Sequence, residues 1–268
     1  MATIDRERVH AIQLRAFRDF LHTMAGSSRG ARVFEWDDLV ASVVPVVPRR
    51  SIVNSVSYRD GATLARAYDD LAATYDVAGV EAWTVWTPEF DRETMELLER
   101  KGHQFDGEPA AMVLDLGELD EPDFGDLEWE LTDSMPLMGE LNDRAYGLEG
   151  ADGYAPAFAA LPPGTMRLYL ARVDGEPASV VGTMDHDPVP GASGPDCGIY
   201  WVATPEEYRG RGLSGRLMRA ALAEARERGC ATSSLQASEM GEPVYLRLGY
   251  RSPFRWHLYE WRLADSRH

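Results

Sequence analysis

Residues 208–219 read YRGRGLSGRLMR, a stretch that combines closely spaced glycines with arginines. From Gly210 it reads G-x-G-x-x-G, ending at Gly215; from Arg209 it reads R-x-x-G-x-S. Glycine lets a backbone turn tightly and approach a ligand closely. Amides without partners at a helix start, aided by the helix dipole, favour an anion. Both patterns therefore point to a bound phosphate, with Arg209 and Arg211 adding charge. The rival is a glycine-rich helix entry that binds nothing.

The surroundings choose between phosphate ligands. A dinucleotide turn puts its first glycine directly off a strand, an acidic residue about 20 positions on and further βα units behind it. Here Thr204 to Arg209 stand between strand and glycine, and too little chain follows Glu239 to complete such a sheet. A Walker loop needs Gly-Lys-Ser/Thr, which is absent. The remaining pattern, R-x-x-G-x-G/A, is that of loops that wrap an acyl-CoA pyrophosphate.

With three linked pieces in one order, WVATPEEYRGRGLSG, then SLQAS, then VYLRLGY, the region Glu128–Trp261 resembles the GNAT superfamily of N-acetyltransferases. The resemblance implies a sheet whose fourth and fifth strands splay apart to admit pantetheine, with acetyl-CoA as co-substrate. It assigns cofactor contacts to Val202, Ala203 and Thr204, the first two through backbone hydrogen bonds to pantetheine and thioester. It assigns the pyrophosphate to Arg209, Gly210, Arg211, Gly212, Leu213, Ser214 and Gly215. Ser238 stands where many members carry a cofactor-contacting asparagine, and Tyr245 matches the general acid. Ser214 and Ser238 both depart from the family's usual residues.

The chemistry follows from the groups. Acetyl transfer to an amine needs a neutral nucleophile, donors aimed at the developing oxyanion and a proton for the departing thiolate. A tyrosine within reach of sulfur supplies that proton. The competing role for Tyr245 is packing beside Gly249-Tyr250. Asp185, His186, Asp187, Glu206, Glu207 and Glu239 are candidate bases, and no residue type singles one out.

The elements that position these residues repeat. Tyr58, Arg59 and Gly79 stand the same distance ahead of Tyr208, Arg209 and Gly229. Each set opens a loop, a helix, an apolar strand (Ala82–Thr87 or Thr232–Ala237), a second helix and a final strand (Ala111–Leu116 or Phe254–Trp261). An amphipathic helix over Asp5–Met24, stopped by Gly26, Ser27, Ser28 and Gly30, precedes them. Strands at Leu39–Val47 and Ser51–Val56 follow it. The second copy adds a strand at Glu128–Leu131, helices at Ser134–Tyr146 and Tyr154–Ala160, and a hairpin about Asp174-Gly175. The expected fold class is α/β (α+β), with two tandem GNAT-like domains, each a mixed, mostly antiparallel sheet flanked by helices. The boundaries fall at residues 1–120 for a degenerate copy without cofactor and 126–268 for the acetyl-CoA domain. In the first copy Asp60 enters the phosphate loop and Leu98 replaces Tyr245. Trp83 and Trp86 are candidates for an acceptor site, with core packing the simpler role.

Composition bounds the rest. Hydrophobic residues make up 44% and charged residues 26% of 268 residues, an ordinary globular balance. No segment reaches the roughly 18 apolar residues of a membrane span, and the start lacks a signal-peptide layout, so a cytoplasmic protein is expected. The net charge of −17 disfavours nucleic acid and anionic membranes. It tilts the acceptor towards a cationic small-molecule amine. Cys197 and Cys230 are too few for a disulfide framework, and the six histidines lack metal-ligand spacing, so no metal is expected. A non-catalytic acyl-CoA sensor or scaffold and a transferase acting on protein amines are the alternatives. Oligomeric state and acceptor identity are not encoded in any motif; the least patterned segments, Leu137–Leu161 and Met184–Asp196, are where acceptor specificity is expected.

Overall fold

A computed structural model describes residues 5–26 and 28–264; Met1–Ile4, the C-terminal 265–268 and Ser27 of the expected helix stop lie outside the described residues. The Asp5 carboxylate accepts from the Glu7 amide and starts α1 (Arg6–Ala25). That helix buries Val9, Ile12, Ala16, Phe17, Phe20, Leu21 and Met24, the stripe that helical spacing predicts.

In the first half, β1 (Arg32–Trp36) and β2 (Leu39–Val43) form a hairpin that the sequence did not announce. Its turn carries no glycine. Asp37 takes the left-handed conformation there, with φ 48°, as the short acidic side chain tolerates. Next come β3 (Ser55–Tyr58), α2 (Gly61–Val77), β4 (Ala82–Pro88), α3 (Arg92–Arg100), β5 (Gln104–Gly107) and β6 (Ala110–Asp115). The second half holds β7 (Trp129–Thr132), α4 (Met135–Tyr146), α5 (Ala155–Ala159), β8 (Arg167–Val173), β9 (Glu176–His186), β10 (Asp196–Ala203), α6 (Leu213–Glu227), β11 (Thr232–Ala237), α7 (Glu242–Arg247) and β12 (Arg251–Arg262). No described helix is long and apolar enough to cross a membrane.

The strands make one continuous mixed sheet in the order β1-β2-β3-β4-β12-β6-β11-β10-β9-β8-β7, with β5 pairing β12 off this path. Among the described residues only β3–β4 and β10–β11 pair in parallel, and each parallel pair brackets a helix, α2 or α6. The centre of the sheet departs from two self-contained units. β6, from the first half, pairs with β11 of the second. β12, from the second half, pairs with β4 of the first. β12 bends between its neighbours: Arg251–Arg255 lie beside β6, and Trp256–Arg262 lie beside β4. This exchange gives both final strands a partner on each side, so neither becomes an exposed edge.

α1 seals the exchange, touching strands of both halves. Gln13, on its buried face and fully buried, donates through Nε2 to the Met112 carbonyl of β6 (3.1 Å) and the Leu235 carbonyl of β11 (2.9 Å). Its Oε1 accepts from Trp256 Nε1 of β12 at 2.6 Å. One amide thus ties three strands from both halves.

The first half also encloses a neutral histidine. His103 donates from Nδ1 to the Tyr259 carbonyl (3.0 Å), which can only accept, so Nε2 accepts from the Tyr68 hydroxyl (2.9 Å). Burial holds its pKa down at about 4. An unfolded histidine takes its proton near pH 6.5. The contribution of His103 to stability is therefore complete above about pH 6.5 and falls as pH drops from there to about 4, by about 3 kcal/mol in all. Urea titrations at pH 7 and pH 4.5 should show His103→Gln losing about 2 kcal/mol less on acidification than the wild type. Equal acid losses in the two proteins would refute this assignment.

Candidate functional site

The site begins where β10 and β11 part. They pair only at Asp196↔Thr232, Cys197↔Ser233 and Gly198↔Ser234. Buried Asp196 clamps that end, accepting from Thr232 Oγ1 (2.7 Å) and Ser234 Oγ (2.6 Å). Burial pushes its carboxyl pKa up. Past Gly198 the strands splay. β10 also shifts register against β9 between Tyr200 and Ala203, so Trp201 and Val202 have no partner residue there. Trp201 adopts φ 53°, a conformation that costs a bulky residue of order 1 kcal/mol or more and that bulges next to active sites carry.

A cleft of about 900 Å³ opens at the splay. Val202, Ser238 and Tyr245 line it, while Ala203 is buried and not among its lining residues. No hydrogen bond engages the Tyr245 hydroxyl among the described residues. Burial, followed by the neighbouring Tyr146, pushes the Tyr245 phenol well up from its usual pKa. It therefore holds its proton throughout the neutral range. Its ring meets Tyr250 edge-on at 5.9 Å, so the packing role and an exposed hydroxyl coexist in one side chain.

The glycine loop leads out of the same strand. Gly210 and Gly212 take φ 76° and 69°, where glycine avoids a steric cost. Gly212 caps α6 without any side-chain hydrogen bond. The amides of Leu213, Ser214 and Gly215 meet no acceptor among the described residues, since the first helical bond runs from Arg216 N to Gly212 O. The Leu213 side chain is itself core. Arg209 also braces the loop from within: its Nε donates to the Thr204 carbonyl (3.1 Å) and its guanidinium also bonds the Ala145 carbonyl at the end of α4. The Thr204 hydroxyl is held by Ser179 at 2.8 Å. Both residues thus pin the loop to its surroundings. Arg211 remains exposed, over the Tyr208 ring.

The equivalent loop of the first half is chemically closed. The Asp60 carboxylate accepts from the amides of Ala62 (3.2 Å) and Thr63 (3.1 Å) and from the Thr63 hydroxyl. The amides that would meet an anion already hold one. Leu98 is fully buried.

The structure separates the six candidate bases. Asp185 is paired with Arg228 through both oxygens (2.7 and 2.8 Å). His186 is enclosed between Asp19 and the Tyr200 hydroxyl, and exposed Asp187 pairs with Arg15. Glu206 is exposed outside the cleft, and Glu207 pairs with Arg144 on the surface. Of the six, only Glu239 lines the cleft. The two tryptophans also divide: Trp83 is core, stacked on Tyr75 at 4.8 Å, while Trp86 lines the cleft.

Sequence reasoning named Trp86 from the first half but missed the other walls that half supplies: Phe17, Phe20, Arg50, Ile52 and Glu108. The apolar stripe of α1 held a signal for the two phenylalanines, and nothing marked Arg50. Asn142, Tyr146, Leu148 and Tyr154 come from the expected Leu137–Leu161 segment; among the described residues, Met184–Asp196 contributes none.

Residues 133–252 match the family model described as the acetyltransferase (GNAT) domain. This part of the chain is a GNAT domain. The GNAT domain includes the splay, the α6 loop and Tyr245, and the likeness in fold extends beyond it. A GCN5-related N-acetyltransferase from Kribbella flavida superposes with a TM-score of 0.65 at 15% identity, covering 96% of this chain and 96% of that one. A functionally unknown conserved protein from Staphylococcus epidermidis gives 0.60 at 14%, covering 87% and 94%. A putative GNAT-family acetyltransferase from Novosphingobium aromaticivorans gives 0.56 at 19%, covering 91% and 96%. At these identities the likeness speaks for the fold. No curated protein matches the chain at a significant level.

Proposed function

We propose that this chain transfers an acetyl group from acetyl-CoA to the amine of a small molecule held in the cleft, with Tyr245 as general acid. The observation that carries this reading is the bulged strand opening, Trp201–Val202, onto a cleft that also holds the unpartnered Tyr245 hydroxyl. The unpaired amides at the start of α6 suit a pyrophosphate, and backbone at Val202 suits the thioester oxygen. The amine nitrogen attacks the thioester carbon, the C–S bond breaks and the thiolate takes the Tyr245 proton. An acceptor that arrives as an ammonium first gives one proton to Glu239, directly or through water; the second nitrogen proton, shed after attack, leaves through water and Tyr245 regains its own from solvent. Glu108 and Glu239, at the α7 end of the cleft, favour an acceptor that arrives as an ammonium. The first half serves as a wall of the acceptor cleft. Its own loop, with Asp60 on the amides, supports the reading that it binds no second cofactor.

Calorimetric titration of acetyl-CoA into wild type and Gly212→Asp, followed by a free-thiol assay with amines, tests the reading. Aspartate tolerates the left-handed backbone at Gly212 but sets a carboxylate beside the phosphates. The expected result is one equivalent bound by wild type, binding weakened at least about 100-fold in the variant, and amine-dependent thiol release. Wild type that binds no acetyl-CoA would overturn the assignment. Binding without turnover on any amine would make the protein an acyl-CoA sensor.

A further inference from the structure

Three of the buried polar side-chain atoms that lack a hydrogen-bond partner belong to residues lining the acceptor cleft: Arg50 Nε, Trp201 Nε1 and Asn142 Oδ1. Buried polar groups are ordinarily satisfied, so unpartnered atoms concentrated on residues that line one cleft point to a partner that comes with its ligand. Asn142 is only 1% exposed, and its amide nitrogen is turned to Asp143 at 3.4 Å.

Arg50 and Trp201 flank one side chain. The Arg50 guanidinium lies over the Tyr154 ring at 5.5 Å, and the Trp201 ring meets the same tyrosine at 4.9 Å. Tyr154 is held there by Asp143, whose carboxylate accepts from the amides of Tyr154 (2.8 Å) and Ala155 (2.9 Å). No carboxylate neutralises Arg50. The two acids that act on Tyr154 are committed elsewhere: Asp143 to those amides, and Glu260 to Arg262 through both oxygens (2.8 and 2.9 Å). Neighbouring Arg49, by contrast, faces out and pairs with Glu81 and Asp152. The walls nearby are aromatic, with Phe17, Phe20 and Trp86.

We propose that Arg50, contributed by the first half, together with the Trp201 N–H, binds a carboxylate on the acceptor. The acceptor class is an amine that also carries a carboxylate on an apolar, aromatic-sized body. One guanidinium without a carboxylate partner matches the single charge and planar fork of a carboxylate; a phosphate dianion would leave one charge unanswered. The acidic α7 end takes the ammonium and the Arg50 end takes the carboxylate. This specificity rests on the acetyltransferase reading of the cleft, whereas the anion subsite itself does not.

Calorimetry with 3-phenylpropionate and its uncharged counterpart 3-phenylpropanol, on wild type and Arg50→Gln without acetyl-CoA, tests the subsite alone. Wild type should bind the acid at least 10-fold more tightly than the alcohol, and Arg50→Gln should erase that difference while leaving acetyl-CoA affinity within twofold. In turnover, the wild type should favour L-phenylalanine over phenethylamine at least 10-fold in kcat/KM, chiefly through KM, and the variant should not. An acid no tighter than the alcohol, or an unchanged preference in Arg50→Gln, overturns the proposal. Failure of acetyl-CoA to bind wild type sinks the enzyme reading instead and leaves the acid titration to decide the subsite.

Discussion

Tyr245→Phe is expected to lower the turnover number for acetyl transfer by about 100-fold or more, the usual contribution of a positioned general acid, while acetyl-CoA affinity stays within about twofold. Only an oxygen is lost. That oxygen has no hydrogen-bond partner among the described residues, and the ring keeps its edge-on contact with Tyr250. Stability should therefore change by no more than about 0.5 kcal/mol, as for a substitution that breaks no packing. Because burial pushes the phenol upward, the wild-type rate should keep its proton donor as pH rises through the ordinary tyrosine range near 10. Steady-state kinetics with calorimetry on the same preparations separates the two effects. Turnover unchanged in the variant would mean that the thiolate takes its proton elsewhere.

The second large effect is on stability. Gln13→Leu should cost about 3–9 kcal/mol, because two strand carbonyls and the Trp256 indole N–H lose their buried partner and each such loss costs about 1–3 kcal/mol. Leucine fills nearly the same volume, so a cavity is not the cause. Gln13→Glu should fare no better: its carboxylate would face the Met112 and Leu235 carbonyls with no donor to offer them. Urea unfolding followed by tryptophan fluorescence reads both variants. Because Gln13 joins β6, β11 and β12, the two halves should unfold in a single transition. A loss under about 1 kcal/mol, the low end for a single such bond, would show that the exchanged strands hold without this tie.

The local elements were legible because their causes are local. Helical spacing marks the buried stripe of α1 from Val9 to Met24, and Asp174-Gly175 marks the β8–β9 turn. The glycine loop at Gly210–Gly215 announces its open amides because only glycine takes those φ values without cost. Asp60 announces the closed ones, since a short acid at a helix start caps it. The β1–β2 hairpin escaped because Asp37 stands where a glycine usually signals the turn.

By itself, the sequence determined most of the helices and strands, that one loop of the two keeps its amides open, and that a tyrosine stands a fixed spacing before Gly249. Those properties depend on neighbours within a few residues. Only the tertiary structure decided that β6 and β12 exchange halves, because each is a short apolar final strand whose pattern suits either partner. It also decided that Glu239 alone of six candidate bases lines the cleft, and that of the adjacent pair Arg49 and Arg50 one meets Glu81 outside while the other lines the cleft. Pairing and burial are set by residues far apart in the chain, and no local period records them.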